Sequence, residues 1–166
     1  MFFIMSFLVK YPLRRDLATL KYFGYDSKLD NYLDVQAGKI VLNYYKTVKF
    51  FGRKEFDIPR DTWKAVSWMM KQHRLRGLTD GHLLKNSHWK PLSSGSFTSY
   101  MVNKSKVCFP CCKNKRMGCA LLRHLVVSYK NRNAPTLEEK EKLASEMMHS
   151  PEEADLYRIN GKFKSD

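Results

Sequence analysis

Apolar and polar positions along this chain change period several times, and the changes divide it into helical and extended stretches. Residues 3–22 follow a helical pattern with a break near Pro12. Proline suits the first turn of a helix, where its missing N–H leaves no bond unmade, so a second helix is predicted to begin beside Leu13-Arg14-Arg15-Asp16-Leu17. Gly24 to Gly38 is polar and rich in turn formers. Lys39-Ile40-Val41-Leu42-Asn43-Tyr44-Tyr45 is β-branched and aromatic and predicts a strand, and Lys54 to Ile58 alternates as another. Phe50-Phe51-Gly52-Arg53 marks the turn between them. The result is a small antiparallel sheet whose exposed connection carries Lys46 and Lys49.

Helical spacing returns from Arg60 to about Arg74, through Trp63, Val66, Met69 and Met70. Residues 77–94 read as loop, and Phe97 to Val107 as a short helix. Leu121, Leu122, Leu125 and Val126 mark one buried stripe, which is expected to turn Arg123 towards another face. After a polar linker, Thr136-Leu137-Glu138-Glu139 is a capping box for a helix with Leu143, Ala144, Met147 and Met148 inward, ending at His149. Ser150-Pro151-Glu152-Glu153 repeats the start signal and places Tyr157 two turns into a last short helix. There is no internal repeat. The pattern is that of a mixed α+β domain, mostly helical.

Composition adds a partner class. The 166 residues fit a single domain, and 43% hydrophobic content is that of a folded protein. Lysine and arginine total 30 against 16 acids, and a net charge of +14 on so short a chain points to a polyanion. Nucleic acid is the first expectation and an anionic membrane surface the second. The apolar N-terminal run has no preceding basic region or small-residue cleavage site, and it is too short to span a bilayer, so it is expected to be a buried helix. Cys108, Cys111, Cys112 and Cys119 crowd together, but adjacent Cys111 and Cys112 are awkward ligands for one tetrahedral ion. Reduced thiols without zinc are expected, as in an intracellular protein, nuclear or cytoplasmic.

The candidate chemistry lies in five separated residues, Arg14, Lys46, Arg123, His149 and Tyr157. Each has an ordinary reading by itself: a helix-end arginine, a hairpin surface lysine, a histidine on a helix dipole, a core tyrosine. Their order and local sequence carry more. Leu122-Arg123-His124, Leu143-Ala144 with Met148-His149-Ser150, and Ala154 with Tyr157-Arg158 eight residues after the histidine resemble the C-terminal half of the tyrosine recombinase (phage integrase) family. Tyr45-Lys46-Thr47, Gly52 and Ile58-Pro59 resemble its β-hairpin. Pro12-Leu13-Arg14-Arg15-Asp16 resembles its first arginine motif, in the form associated with eukaryotic mobile elements and large DNA viruses, with either Arg14 or Arg15 as the arginine.

The resemblance covers nearly the whole chain, and it implies a site-specific recombinase or integrase that cuts and rejoins double-stranded DNA through a 3′-phosphotyrosine. It implies that the two arginines clamp the scissile phosphate, that Lys46 protonates the leaving 5′-oxygen, that His149 assists in proton handling, and that Tyr157 attacks. It further implies DNA contacts from Arg15, Lys49, Arg53, His124 and Arg158, assembly as a homo-oligomer (a tetramer) on DNA, no membrane, no metal and no cofactor. Residues 1–166 then form a single catalytic domain without the family's N-terminal core-binding domain. Where the family carries histidine or lysine three residues before the second arginine, this chain has Ala120. A type IB topoisomerase uses a similar residue set, and a decayed integrase would keep DNA binding without cleavage.

Overall fold

A computed structural model describes residues 2–108 and 117–158. The sequence expectations for Cys108, Cys111 and Cys112 as ligands or thiols fall outside the described side chains. Helix α1 (Phe2–Lys10) is the buried apolar run, with Phe3, Ile4, Phe7 and Leu8 in the core. It stops at Lys10, and the predicted second helix is absent. Pro12 cannot extend the helix, and the chain after it makes only one 3-10 turn, Asp16–Thr19. Leu13, Leu17 and Leu20 are fully buried and pin this irregular segment to the core.

The sheet has three antiparallel strands rather than two, in the order β1 (Tyr32–Asp34), β2 (Lys39–Leu42) and β3 (Lys54–Asp57). Strand β1 lies within the stretch read as turns, because its three residues are too few to show alternation. Leu33 pairs with Ile40 and Ile40 with Phe56, so one cross-strand row of buried side chains faces inward. Phe56 packs against Tyr11 and Phe7 of the N-terminal segment at ring distances of 5.0 and 6.3 Å. Buried Asn31 ties the sheet to the 3-10 turn. Its Nδ2 donates to the carbonyls of Asp16 and Tyr44, and its Oδ1 accepts from the backbone N–H of Asn43 and Tyr44.

The β2–β3 connection is longer than a tight turn and contains a single helical turn, α2 (Val48–Phe51). Helix α3 (Arg60–Leu75) follows, then an irregular segment and α4 (Ser94–Cys108). Helix α5 (Cys119–Lys130) lies against α1, and α6 (Leu137–Met147) and α7 (Pro151–Asp155) pack together on its far side. A small second core of Val127, Leu143, Ala144, Met147 and Ala154 joins these last three helices, with Tyr157 against it. Among the described residues no helix is long and apolar enough to cross a membrane.

Candidate active site

Local sequence explains how each side chain reaches this site. The Thr136 hydroxyl accepts from the Glu139 N–H, and the Glu139 carboxylate accepts from the Thr136 N–H, which starts α6 as the capping box predicts. The helix ends on Met148, a left-handed residue at φ 57°, and the His149 N–H donates to the Ala144 carbonyl. That reversal drives the His149 ring into the interior. Ser150 caps α7 and Pro151 opens it, as the sequence indicates, but α7 ends at Asp155. Tyr157 therefore lies in the turn after the helix rather than two turns within it, its N–H bonded to the Ala154 carbonyl.

Arg14, Arg123, His149 and Tyr157 meet. An Arg14 terminal nitrogen donates to His149 Nε2 at 3.1 Å and to the Tyr157 hydroxyl at 3.5 Å. His149 and Tyr157 rings pack edge to face with centroids 5.5 Å apart. The Arg123 guanidinium carbon sits 4.5 Å from the centre of the Tyr157 ring. The sequence stripe put Arg123 on another face; instead it is only 2% exposed, because Tyr157 and the α6–α7 pair cover that side of α5. None of its three guanidinium nitrogens makes a hydrogen bond among the described residues. Burial lowers its pKa to about 10, with Arg14 adding repulsion and Tyr157 opposing the shift, so it stays a cation at neutral pH.

The two N-terminal arginines differ in position. Arg14 reaches His149 and Tyr157, whereas Arg15 is exposed at the rim of the same cleft. This open cleft of about 820 Å³ is lined by Arg14, Arg15, Arg123 and Tyr157, with Lys106 on the α4 side. Lys46 is exposed one residue before Thr47, whose hydroxyl donates to the Met148 carbonyl at 3.0 Å, so the β2–β3 connection is fastened beside the α6–α7 turn. Lys49 is exposed on that connection, and exposed Arg53 pairs with Glu55 at 2.8 Å. His124 Nδ1 donates to the Tyr157 carbonyl at 2.8 Å and its ring lies 5.0 Å from that of Tyr157. Arg158 is exposed beyond the turn.

Two residues of this neighbourhood, Asp16 and Glu153, had no site role in the sequence reading, and Cys119 was weighed there only as a zinc ligand or reduced thiol. Asp16 has an unpartnered, buried Oδ2; burial raises its pKa while Arg123 and Arg14 pull it down. Its position beside the arginine pair was the available signal. Cys119 lines the cleft as a buried thiol pushed up to about 11 by burial. Glu153, read only as part of a start signal, accepts from His149 Nδ1 at 3.1 Å. Burial, then Arg123 and Arg14, lower the His149 pKa, and Glu153 opposes them.

Comparison places the chain in a known fold. The structure matches XerA recombinase with a TM-score of 0.65 and 16% identity over 93% of this chain and 52% of that one. It matches the Tn1549 transposon integrase in complex with transposon right end DNA (TM-score 0.63, 15% identity) over 98% of this chain and 55% of that one. A second structure of that integrase, in complex with circular intermediate DNA, gives a TM-score of 0.60. The chain spans about half the length of these structures. No family model and no curated protein matches the sequence. The chain therefore has the fold of tyrosine recombinase catalytic domains, α+β and mostly helical, with one small antiparallel sheet.

Proposed function

We propose that this chain cleaves and rejoins double-stranded DNA as a site-specific recombinase or integrase, through a 3′-phosphotyrosine formed on Tyr157. The observation that carries the reading is the buried, unpartnered Arg123 guanidinium stacked on the Tyr157 ring at the floor of a basic cleft. A buried cation with no hydrogen bond among the described residues is costly to keep, and a phosphodiester supplies the two oxygens that its planar fork binds. Arg14 supplies a second fork on the other side of the hydroxyl. The DNA complexes of the Tn1549 integrase and the net charge of +14 support DNA as the partner. Assembly as a homo-oligomer on DNA belongs to the same proposal.

In this mechanism the Tyr157 oxygen attacks phosphorus, and the bond from phosphorus to the 5′-oxygen breaks. Charge that gathers on the non-bridging oxygens meets Arg14 and Arg123, fixed donors lining the cleft. The phenolic proton passes to His149 Nε2 once Arg14 has turned to the phosphate. Lys46, on the connection fastened beside His149, gives a proton to the departing 5′-oxygen, because an alkoxide is a very poor leaving group. The new ester keeps the energy of the old one, so the 5′-hydroxyl of another strand can reverse the steps.

The test uses a nicked suicide duplex whose cleavage releases a short 5′-hydroxyl fragment and traps the enzyme. With random-sequence oligonucleotides selected for binding, wild-type protein should form a denaturant-resistant adduct that maps by mass spectrometry to Tyr157. Tight binding with no adduct on any selected duplex would show a DNA-binding module instead.

A further inference from the structure

We propose that Glu153 is a positioning residue of this site, holding the His149 imidazole as one neutral tautomer with the proton on Nδ1 and the Nε2 lone pair turned towards Arg14 and Tyr157. The partners leave little choice. An arginine can only donate, so Nε2, 3.1 Å from the Arg14 nitrogen, must accept. A carboxylate can only accept, so Nδ1, 3.1 Å from Glu153 Oε2, must carry the hydrogen. The other neutral tautomer would set an N–H against the guanidinium and a lone pair against the carboxylate. A flipped ring would face carbons to both partners, and a doubly protonated ring would point an N–H at the guanidinium. Without Glu153, nothing described holds Nδ1 as the donor.

The diversion of Glu153 from its local role supports this reading. Glu139 and Glu153 occupy the same third position after a hydroxyl cap, in α6 and α7. Glu139 bonds back to the N–H of its own cap, Thr136, at 2.8 Å. The Glu153 N–H likewise finds the Ser150 hydroxyl at 3.3 Å, but its carboxylate is spent on the residue before the cap, His149. The ring is nearly buried, with its side chain 4% exposed, while that of Glu153 is 58% exposed and open to solvent on its far side. The groups facing the imidazole are Arg14 from the segment after α1, Arg123 from α5, Tyr157 beyond α7 and Glu153 from α7. Both arginines and burial favour the neutral ring, and Glu153 is the acid that opposes them.

The catalytic consequence rests on the proposed function, since a preset lone pair on Nε2 is what a proton acceptor for the Tyr157 hydroxyl needs; the tautomer itself does not. The experiment therefore has two arms on the full chain. Two-bond ¹⁵N–¹H correlation spectra of DNA-free protein, with His149 assigned through His149→Gln, should show hydrogen on Nδ1 and a bare Nε2. Glu153→Gln keeps an acceptor oxygen and should keep that tautomer, while its lost charge moves the His149 titration to lower pH. Glu153→Ala should leave a mixture of tautomers. On the suicide duplex, Glu153→Ala should cleave about tenfold to a hundredfold more slowly, the scale seen when a partner that orients a functional histidine is removed. The acidic limb of the Glu153→Gln rate profile should move in the same direction as its titration. Wild-type spectra with hydrogen on Nε2, or a Glu153→Ala variant with unchanged tautomer and titration, overturn the proposal. Spectra as expected with no adduct from wild type uphold the positioning role and sink the cleavage reading alone.

Discussion

The Arg123 guanidinium lies under the Tyr157 ring at 4.5 Å yet makes no hydrogen bond among the described residues. Such a pairing recovers only part of what desolvation takes from the cation. Activity and stability should therefore part company here. Arg123→Ala should slow cleavage by roughly two to three orders of magnitude, the effect of losing one preorganised donor, with a much smaller fall in DNA affinity. Arg123→Met, which fills the space without charge, should stabilise the DNA-free protein by on the order of 1 kcal/mol in urea unfolding. Proportional losses in binding and cleavage would make Arg123 a mere part of the basic surface, and a destabilised Met variant would show that its charge is already compensated.

Tyr157→Phe removes a hydroxyl that, among the described residues, is hydrogen-bonded to Arg14, and keeps the ring that covers Arg123 and packs on the small second core. Covalent adduct on the suicide duplex should vanish, while duplex binding in a gel-shift assay stays within about twofold. An adduct retained by this variant would assign the nucleophile elsewhere.

Lys46 and Lys49 share one connection, and a sulfur-bridged substrate separates them. With sulfur in place of the bridging 5′-oxygen the leaving group needs no proton. Lys46→Ala should be slowed at least a hundredfold on normal DNA, by roughly the usual general-acid contribution, and be nearly restored on the sulfur substrate. Lys49→Ala should show a similar small defect on both, as a backbone-binding lysine would. Rescue of Lys49→Ala instead would move the acid by three residues.

His149 should make the protein acid-sensitive. Its folded pKa is below the ordinary value of 6.5, so between the two values the unfolded chain binds the extra proton. Stability then rises with pH across that window and is lost as pH falls below about 6.5. Denaturant unfolding from pH 7 to 5 should show wild type losing stability faster than His149→Gln. Parallel curves would mean that the ring titrates alike in both states.

Sequence made the C-terminal half legible because its signals are local. The capping box at Thr136 and the Ser150-Pro151 start depend on neighbours in the chain, and both appear where expected. The N-terminal half depends on distant partners. Strand β1 exists because Asn31 and the pairing with β2 hold it, and the irregular segment after α1 and Pro12 is held by the burial of Leu13, Leu17 and Leu20. The same burial turns Arg14 inward and leaves Arg15 at the rim, a choice invisible in an Arg-Arg pair. On α5 the buried face runs through Cys119, Leu122, Arg123, Val126 and Val127, displaced from the leucine stripe because α6 and α7 cover one side. Charge on a helix reads as solvent-facing until its neighbours are known.

The bond from the Thr47 hydroxyl to the Met148 carbonyl joins two segments that sequence separates by a hundred residues. One carries Lys46 and the other His149, the two proton-handling groups of the proposed reaction. A pull on either segment is transmitted to the other through this bond, and Met148, already in the left-handed region, has little slack to absorb it. A duplex that seats the β2–β3 connection correctly would thus bring the histidine into register at the same moment, so that the leaving group's acid and the tyrosine's base are loaded together or not at all.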